Sequence, residues 1–279
     1  MRSTLQALGL LALFLTGCRR EAELPTVQPG VDVSADTQPR LVALEELAKK
    51  YCIQVVTQPA FPIPYGKDLI TGQIAEPSDV ENYAALFIEE WSLYPVEMIR
   101  KTNLRRVILC KGLAFNGQLR TALPDYYHDD LLVDIIRGRE NSVYTRQILH
   151  HEFFHVVDWK DDGQVYQDER WLKLNPRSFK YGYGGPAMQG DRNSSLLTED
   201  LPGFLTRYST SGLEEDKAEV FAWMVMKPSY VSERAKKDPV LKAKTVRIKE
   251  LVQDFCPQMD ESFWARVQRR STDLRSERR

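Results

Sequence analysis

The chain lacks net charge of either sign: 38 Lys and Arg stand against 39 Asp and Glu over 279 residues, leaving a formal charge of −1. That balance cannot supply the long-range attraction to phosphate on which non-specific nucleic-acid binding depends, so nucleic acid is not an expected partner. The 4 cysteines contain no CxxC or similar spacing, which argues against a cysteine-ligated metal. There is no internal repeat. The apolar run at the N-terminus, Leu5 to Leu15, is too short to span a bilayer comfortably, so a retained transmembrane helix is not expected there. Histidine is scarce as well, with 4 in the chain, and His150, His151 and His155 cluster in one segment.

That apolar run has another reading. Arg2 provides a positive start and Leu15-Thr16-Gly17-Cys18 follows the run, an order that reads as an export signal. The tetrapeptide resembles the lipobox of bacterial lipoproteins. It implies a signal peptide over 1–17, a lipidated Cys18 as mature N-terminus, and attachment to the membrane through that lipid. Ordinary signal cleavage, with Cys18 incidental, is the alternative. Arg19 after the cysteine implies sorting to the outer membrane, so the expected location is the bacterial cell envelope. Residues 18–38 are rich in Pro, Glu, Asp and Thr and suit a solvated tether. After export, Cys52, Cys110 and Cys256 would mature in an oxidising compartment. Three thiols allow one disulfide and one buried thiol, with the pair left open.

From Leu41 to Tyr51 the pattern is helical, and it runs into a strand at Ile53–Val56. A Pro-rich loop carries Pro59, Pro62 and Pro64. Ser78 or Asp79 caps a helix whose apolar positions, Tyr83 to Trp91, recur every three or four residues up to Pro95. Short apolar stretches at 106–110, 119–123 and 131–136 read as strands joined by tight turns. Helices are expected over 143–159, 214–226 and 243–255. The order is that of an α+β fold with one domain over 39–265 and a charged tail over 266–279.

Chemistry concentrates in His151-Glu152-Phe153-Phe154-His155. On a helix, residues four apart share a face, so both imidazoles can address one ion, and two neutral imidazoles at this spacing suit zinc. Glu152 lies about 100° around the helix, beside the ion, where a carboxylate can take a proton from water. Ile148, Phe154 and Val157 bury the other side. Phe154 occupies the i+4 position of His150, so that histidine cannot form the same pair and is expected at the surface or behind the ligands. His128 is expected in a loop.

A catalytic zinc takes three protein ligands and leaves a position open. Asp161 lies six residues after His155, the place of the next ligand in HExxHxxGxxH/D peptidases, but Asp158 stands where that geometry needs a glycine at positive φ. The segment Glu214 to Ala222 offers another donor. Glu214, Glu215 and Asp216 suit a helix first turn. Glu219 sits deeper, among Ala218, Val220, Phe221 and Ala222, where a carboxylate needs a partner such as a metal. Glu215, one turn earlier on the same face, reads either as a hydrogen-bond acceptor for a ligand histidine, a supporting place also given to Asp158, or as a solvated acid.

HEFFHVVD followed by GFLTRYSTSGLEEDKAEVFA resembles the glutamate-ligand zincins (gluzincins) related to the anthrax lethal factor catalytic domain, and still more the zinc-binding metallopeptidases found among bacterial lipoproteins. The resemblance covers about residues 145 to 226. It implies a zincin-like fold, with a small mixed sheet packed on the active-site helix, and one zinc ion on His151, His155 and Glu219. Glu152 would be the general base, and Tyr208 would donate to the oxyanion. An edge strand near 119–125 would pair with extended substrate. The expected activity is hydrolysis of peptide bonds in a peptide or protein substrate. The alternatives are a zinc-braced lipoprotein that binds a partner without cleaving it, and a zinc amidase acting on cell-wall material. Trp171 to Gly185, rich in aromatics and turn residues, forms either a wall or lid of the cleft or a plain loop.

Overall fold

The computed structural model describes residues 38–188 and 193–276. The expected signal peptide, Cys18 and the tether up to 37 lie outside the described residues. Among the described residues no helix is long and apolar enough to cross a membrane.

The sheet is organised around β4 (Arg106–Phe115), with β1 (Gln54–Val56), β2 (Ile63–Tyr65), β3 (Asp68–Gln73), β5 (Gln118–Leu119), β6 (Ala122–Asp125) and β7 (Asp130–Asp134). The first half of β4 lies parallel between β1 and β7, with Val107 opposite Val55 and Leu131. Its second half pairs antiparallel with β3 and β5. The change of partners falls at Gly112 (φ +63°), where three steps of β4, Lys111 to Ala114, face two of β3, Thr71 to Gln73. This is a β-bulge using a conformation open to glycine. Asn116 and Gly117, both at positive φ, close the β4–β5 hairpin. β6 pairs with β7 and forms the edge of the described sheet.

Side chains alternate across the sheet. Val107, Leu109, Leu131 and Val133 face the helices, while Ile108, Cys110 and Leu132 join Ile70 and Leu113 in a smaller cluster on the other face. Against the first face packs α4 (Ser142–Asp162), whose Leu149, Phe153, Phe154 and Val157 are fully buried. Each such side chain contributes about 1.5–3 kcal/mol by leaving water. Around α4 lie α1 (Gln38–Tyr51), α2 (Pro77–Trp91), α3 (Val96–Lys101), α5 (Glu169–Leu172), α6 (Leu213–Met226), α7 (Pro228–Lys237), α8 (Pro239–Phe255) and α9 (Glu261–Ser276). The α+β order is as expected. Cys110 and Cys256 are buried free thiols, and no disulfide forms among Cys52, Cys110 and Cys256.

The structure departs from expectation at three segments. The Pro-rich loop contributes β2, which continues into β3. The stretch at 119–123 divides into β5 and β6. The charged tail expected from 266 is part of α9, and Arg270 pairs with Glu89 and with the fully buried Glu90 of α2. Arg146 and His150 of α4 bind the same Glu90. Arginines among exposed charges look solvated in sequence, but this one neutralises a buried carboxylate. Arg270→Ala is therefore expected to destabilise the protein by about 2 kcal/mol, less than full loss of a buried pair because Arg146 and His150 remain. A thermal melt should fall by about 4–8 °C. An unchanged melt would mean that α9 adds nothing to the core.

Candidate metal centre

Two helices build the centre. Asn141 caps α4 by accepting the Tyr144 N–H at 3.1 Å, and Gly163, left-handed at φ 75°, ends it. The helix runs unbroken through Asp158 and Asp161. The turn that would bring Asp161 back to the histidines does not occur, because a glycine is found only at 163. Asp161 stays exposed on α4 and is not part of the cluster. α6 follows Gly212 and lies against α4.

His151 and His155 present their Nε2 atoms to one point, 3.1 Å apart. The third donor there is an Oε2 of Glu215, 3.0 Å from His151 Nε2 and 3.4 Å from His155 Nε2. Three donors on a tetrahedral ion, at bond lengths of about 2.0–2.1 Å, stand about 3.3 Å from one another. The observed separations fit one zinc ion, and two imidazoles with one carboxylate form a chemically suitable set. All three residues are buried. Burial lowers the His151 pKa, but the Glu215 and Glu219 carboxylates outweigh it and raise it well above the usual range. Burial likewise opposes ionisation of Glu215, yet the two histidines hold its carboxyl below the usual range.

Glu219, expected at the ion, lies on the far side of His151. Its Oε1 is 3.0 Å from His151 Nδ1 and accepts from Gln147 Nε2 at 2.6 Å. Its Oε2 accepts from Thr206 Oγ1 at 2.9 Å and from Trp223 Nε1 at 3.0 Å. With both oxygens occupied by protein donors, Glu219 fixes the ring so that Nε2 faces the cluster. The expected places of Glu215 and Glu219 are thus exchanged. Tyr208, seven residues before Glu215, donates to Glu215 Oε1 at 3.0 Å and orients that carboxylate. Asp158, expected behind a histidine, forms a buried ion pair with Lys217 at 2.7 Å.

Successive side chains of α6 project about 100° apart, so each locks a different neighbour. Glu215 meets the histidines, Asp216 meets Lys244 of α8 at 2.7 Å, and Lys217 meets Asp158 of α4. Asp216 is fully buried rather than a solvated helix-start acid, and it also accepts from Trp171 Nε1 and Tyr181 OH. Those two aromatics anchor a strap whose Gly182 and Gly184 N–H groups bond to the carbonyls of Thr210 and Ser211. Gly185 lies so close that a Cβ there would come within 2.1 Å of Tyr208 Oη and 2.3 Å of Glu215 Oε1. The end of the aromatic segment, Gly185, abuts the centre, while none of residues 171–185 lines the cleft. His150 is fully buried, with Nδ1 2.6 Å from Tyr94 OH and Nε2 2.9 Å from Glu90. It is a core histidine, not a surface one. His128 sits in the β6–β7 turn, its Nδ1 2.6 Å from Asp125.

A cleft of about 730 Å³ opens beside the cluster, lined by His151, Glu152, Tyr208, Trp223 and the 119–122 edge segment. The Glu152 carboxylate makes no hydrogen bond among the described residues. Burial pushes its pKa up, and the nearby histidines oppose the rise.

Sheet, motif helix and C-terminal helices define an α+β, zincin-like fold. The chain is similar to the crystal structure of a "putative zinc-binding metallo-peptidase" from Bacteroides caccae, with a TM-score of 0.53 and 18% identity over 88% of this chain and 96% of that one. At that identity the likeness concerns the fold. No protein-family model matches the chain, and no curated protein matches it.

Proposed function

We propose that this protein is a zinc-dependent metallopeptidase in which His151, His155 and Glu215 hold one ion and Glu152 is the general base. The observation that carries the reading is the pairing of three convergent donors with a carboxylate that has no hydrogen-bond partner among the described residues and lines the cleft. A site serving only to brace two helices has no use for such a carboxylate. The ion, when bound, polarises the scissile carbonyl and acidifies water. Glu152 takes a proton from the attacking water as its oxygen adds to the carbonyl carbon. It returns that proton to the amine as the C–N bond breaks, leaving one carboxylic acid and one amine. Glu219, through Nδ1, keeps the His151 ring in the orientation this requires. Tyr208 lines the cleft and its hydroxyl, bonded to Glu215, lies beside the place where the oxyanion would develop. β6, with one edge unpaired in the described sheet, offers backbone groups to an extended peptide. The same reading attaches the domain to the bacterial envelope through lipid on Cys18.

Purified protein is expected to carry one zinc per chain and to cleave members of a mixed peptide library. Activity should disappear on chelation and return with zinc. A zinc-loaded protein that cleaves cell-wall fragments but no peptide would turn the assignment to an amidase. One that cleaves neither would make it a binding module.

A further inference from the structure

Three cationic side chains, Arg120, Arg137 and Lys227, line the cleft beside Glu152, and none of them forms an ion pair among the described residues. Arg120 is the most constrained. Its backbone N–H is bonded to Leu113 O at 2.8 Å, which fixes it at the entry to the edge strand β6. One terminal nitrogen donates to the Gln118 side chain at 3.0 Å. Its Nε is buried and has no acceptor among the described residues. A buried guanidinium N–H without a partner is costly, and a neutral acceptor compensates less than a carboxylate does. Arg120 and Glu152 line the same cleft, yet the two are not ion-paired. The guanidinium therefore lines the space that a substrate would fill with one of its donors unanswered. The other lining acids do not answer it: Glu219 is occupied by four protein groups, and Glu140 is exposed on the loop before α4.

We propose that Arg120 is a specificity-determining residue that receives a substrate carboxylate on its guanidinium, so that the enzyme selects peptides carrying an acidic group beside the scissile bond. Lys227, stacked 5.4 Å from the Trp223 ring, and Arg137 add long-range attraction of the same sign. A planar fork suits a carboxylate better than an ammonium, which makes Arg120 rather than Lys227 the selective element. The inference rests on the peptidase reading for the position of the scissile bond, but not for the existence of the carboxylate site.

The test uses matched peptide sets: Glu against Gln at each position, and free against amidated C-terminus. The first set reports a side-chain carboxylate and the second a terminal one. Wild-type protein is expected to favour the carboxylate member of one set. Arg120→Gln should lower kcat/KM about 10- to 100-fold more for that member than for its neutral counterpart, with zinc content unchanged. Equal losses for both members, or a wild type that does not discriminate, would overturn the proposal. If Arg120→Gln does not fold, Arg120→Lys, which keeps stem and charge but not the fork, should give intermediate discrimination, and wild-type discrimination would count against it. Binding of the same peptides to zinc-loaded Glu152→Gln, followed by fluorescence anisotropy, separates this idea from the peptidase reading. Carboxylate-dependent binding that requires Arg120, without cleavage by the wild type, would retain the site and refute the activity. Binding indifferent to Arg120 would refute the site.

Discussion

Glu215→Ala is expected to abolish stoichiometric zinc binding, whereas Glu219→Ala weakens it by about 10- to 100-fold. The two carboxylates stand one helical turn apart, and both touch His151, but on opposite nitrogens. Removing Glu215 deletes the donor opposed to both Nε2 atoms and leaves Tyr208 OH without its acceptor. Removing Glu219 leaves the three donors in place. It frees the His151 ring to turn, and it leaves Gln147 and Trp223 with unanswered donors in a buried site. Metal content by mass spectrometry, with a chelator competition for affinity, distinguishes the two. If Glu219→Ala lost zinc while Glu215→Ala kept it, the assignment of the third donor would be reversed.

Glu152→Gln should retain zinc at the wild-type stoichiometry and lose about 10²- to 10⁴-fold in kcat, the range that a positioned general base contributes. The substitution keeps size and shape while removing the negative charge and the ability to accept a proton. No protein hydrogen bond is broken among the described residues, so the fold has no reason to change. KM should move little if Glu152 acts in the chemical step alone. Zinc retention with full activity would dismiss Glu152 as the base. Loss of zinc together with activity would show that it supports the ion instead.

The HExxH helix was legible because its information is local. Residues four apart share a face whatever surrounds them, so His151, His155 and the flanking Glu152 follow from spacing alone. The strands at 106–110 and 131–136 were legible from runs of apolar residues that a buried central sheet requires. β2 and β3 were not, since Pro64 and Gly72 interrupt them and their apolar residues, Ile63, Tyr65 and Ile70, are covered by partners distant in sequence, Ile108 and Leu132. Arg270 gave no signal, because its buried partner, Glu90, is 180 residues away. Tyr208 stands seven residues before Glu215 and within hydrogen-bond reach of it, a relation that spacing reveals only once Glu215 is known to face the histidines.

Sequence alone is enough for the pair of histidines, the adjacent Glu152 and the helix that carries them. A glutamate-bearing second helix was also determined, but not which of its glutamates meets the ion. Glu215 and Glu219 lie on one face of α6, and helical periodicity treats them alike. The choice depends on how far α6 is shifted along α4. That offset is set by contacts distant in sequence: Asp216 to Lys244, Lys217 to Asp158, and the Gly185 strap pressed against Glu215 and Tyr208. A displacement of one turn, about 5.4 Å, would exchange the two roles. Only packing between the helices resolves a distance of that size.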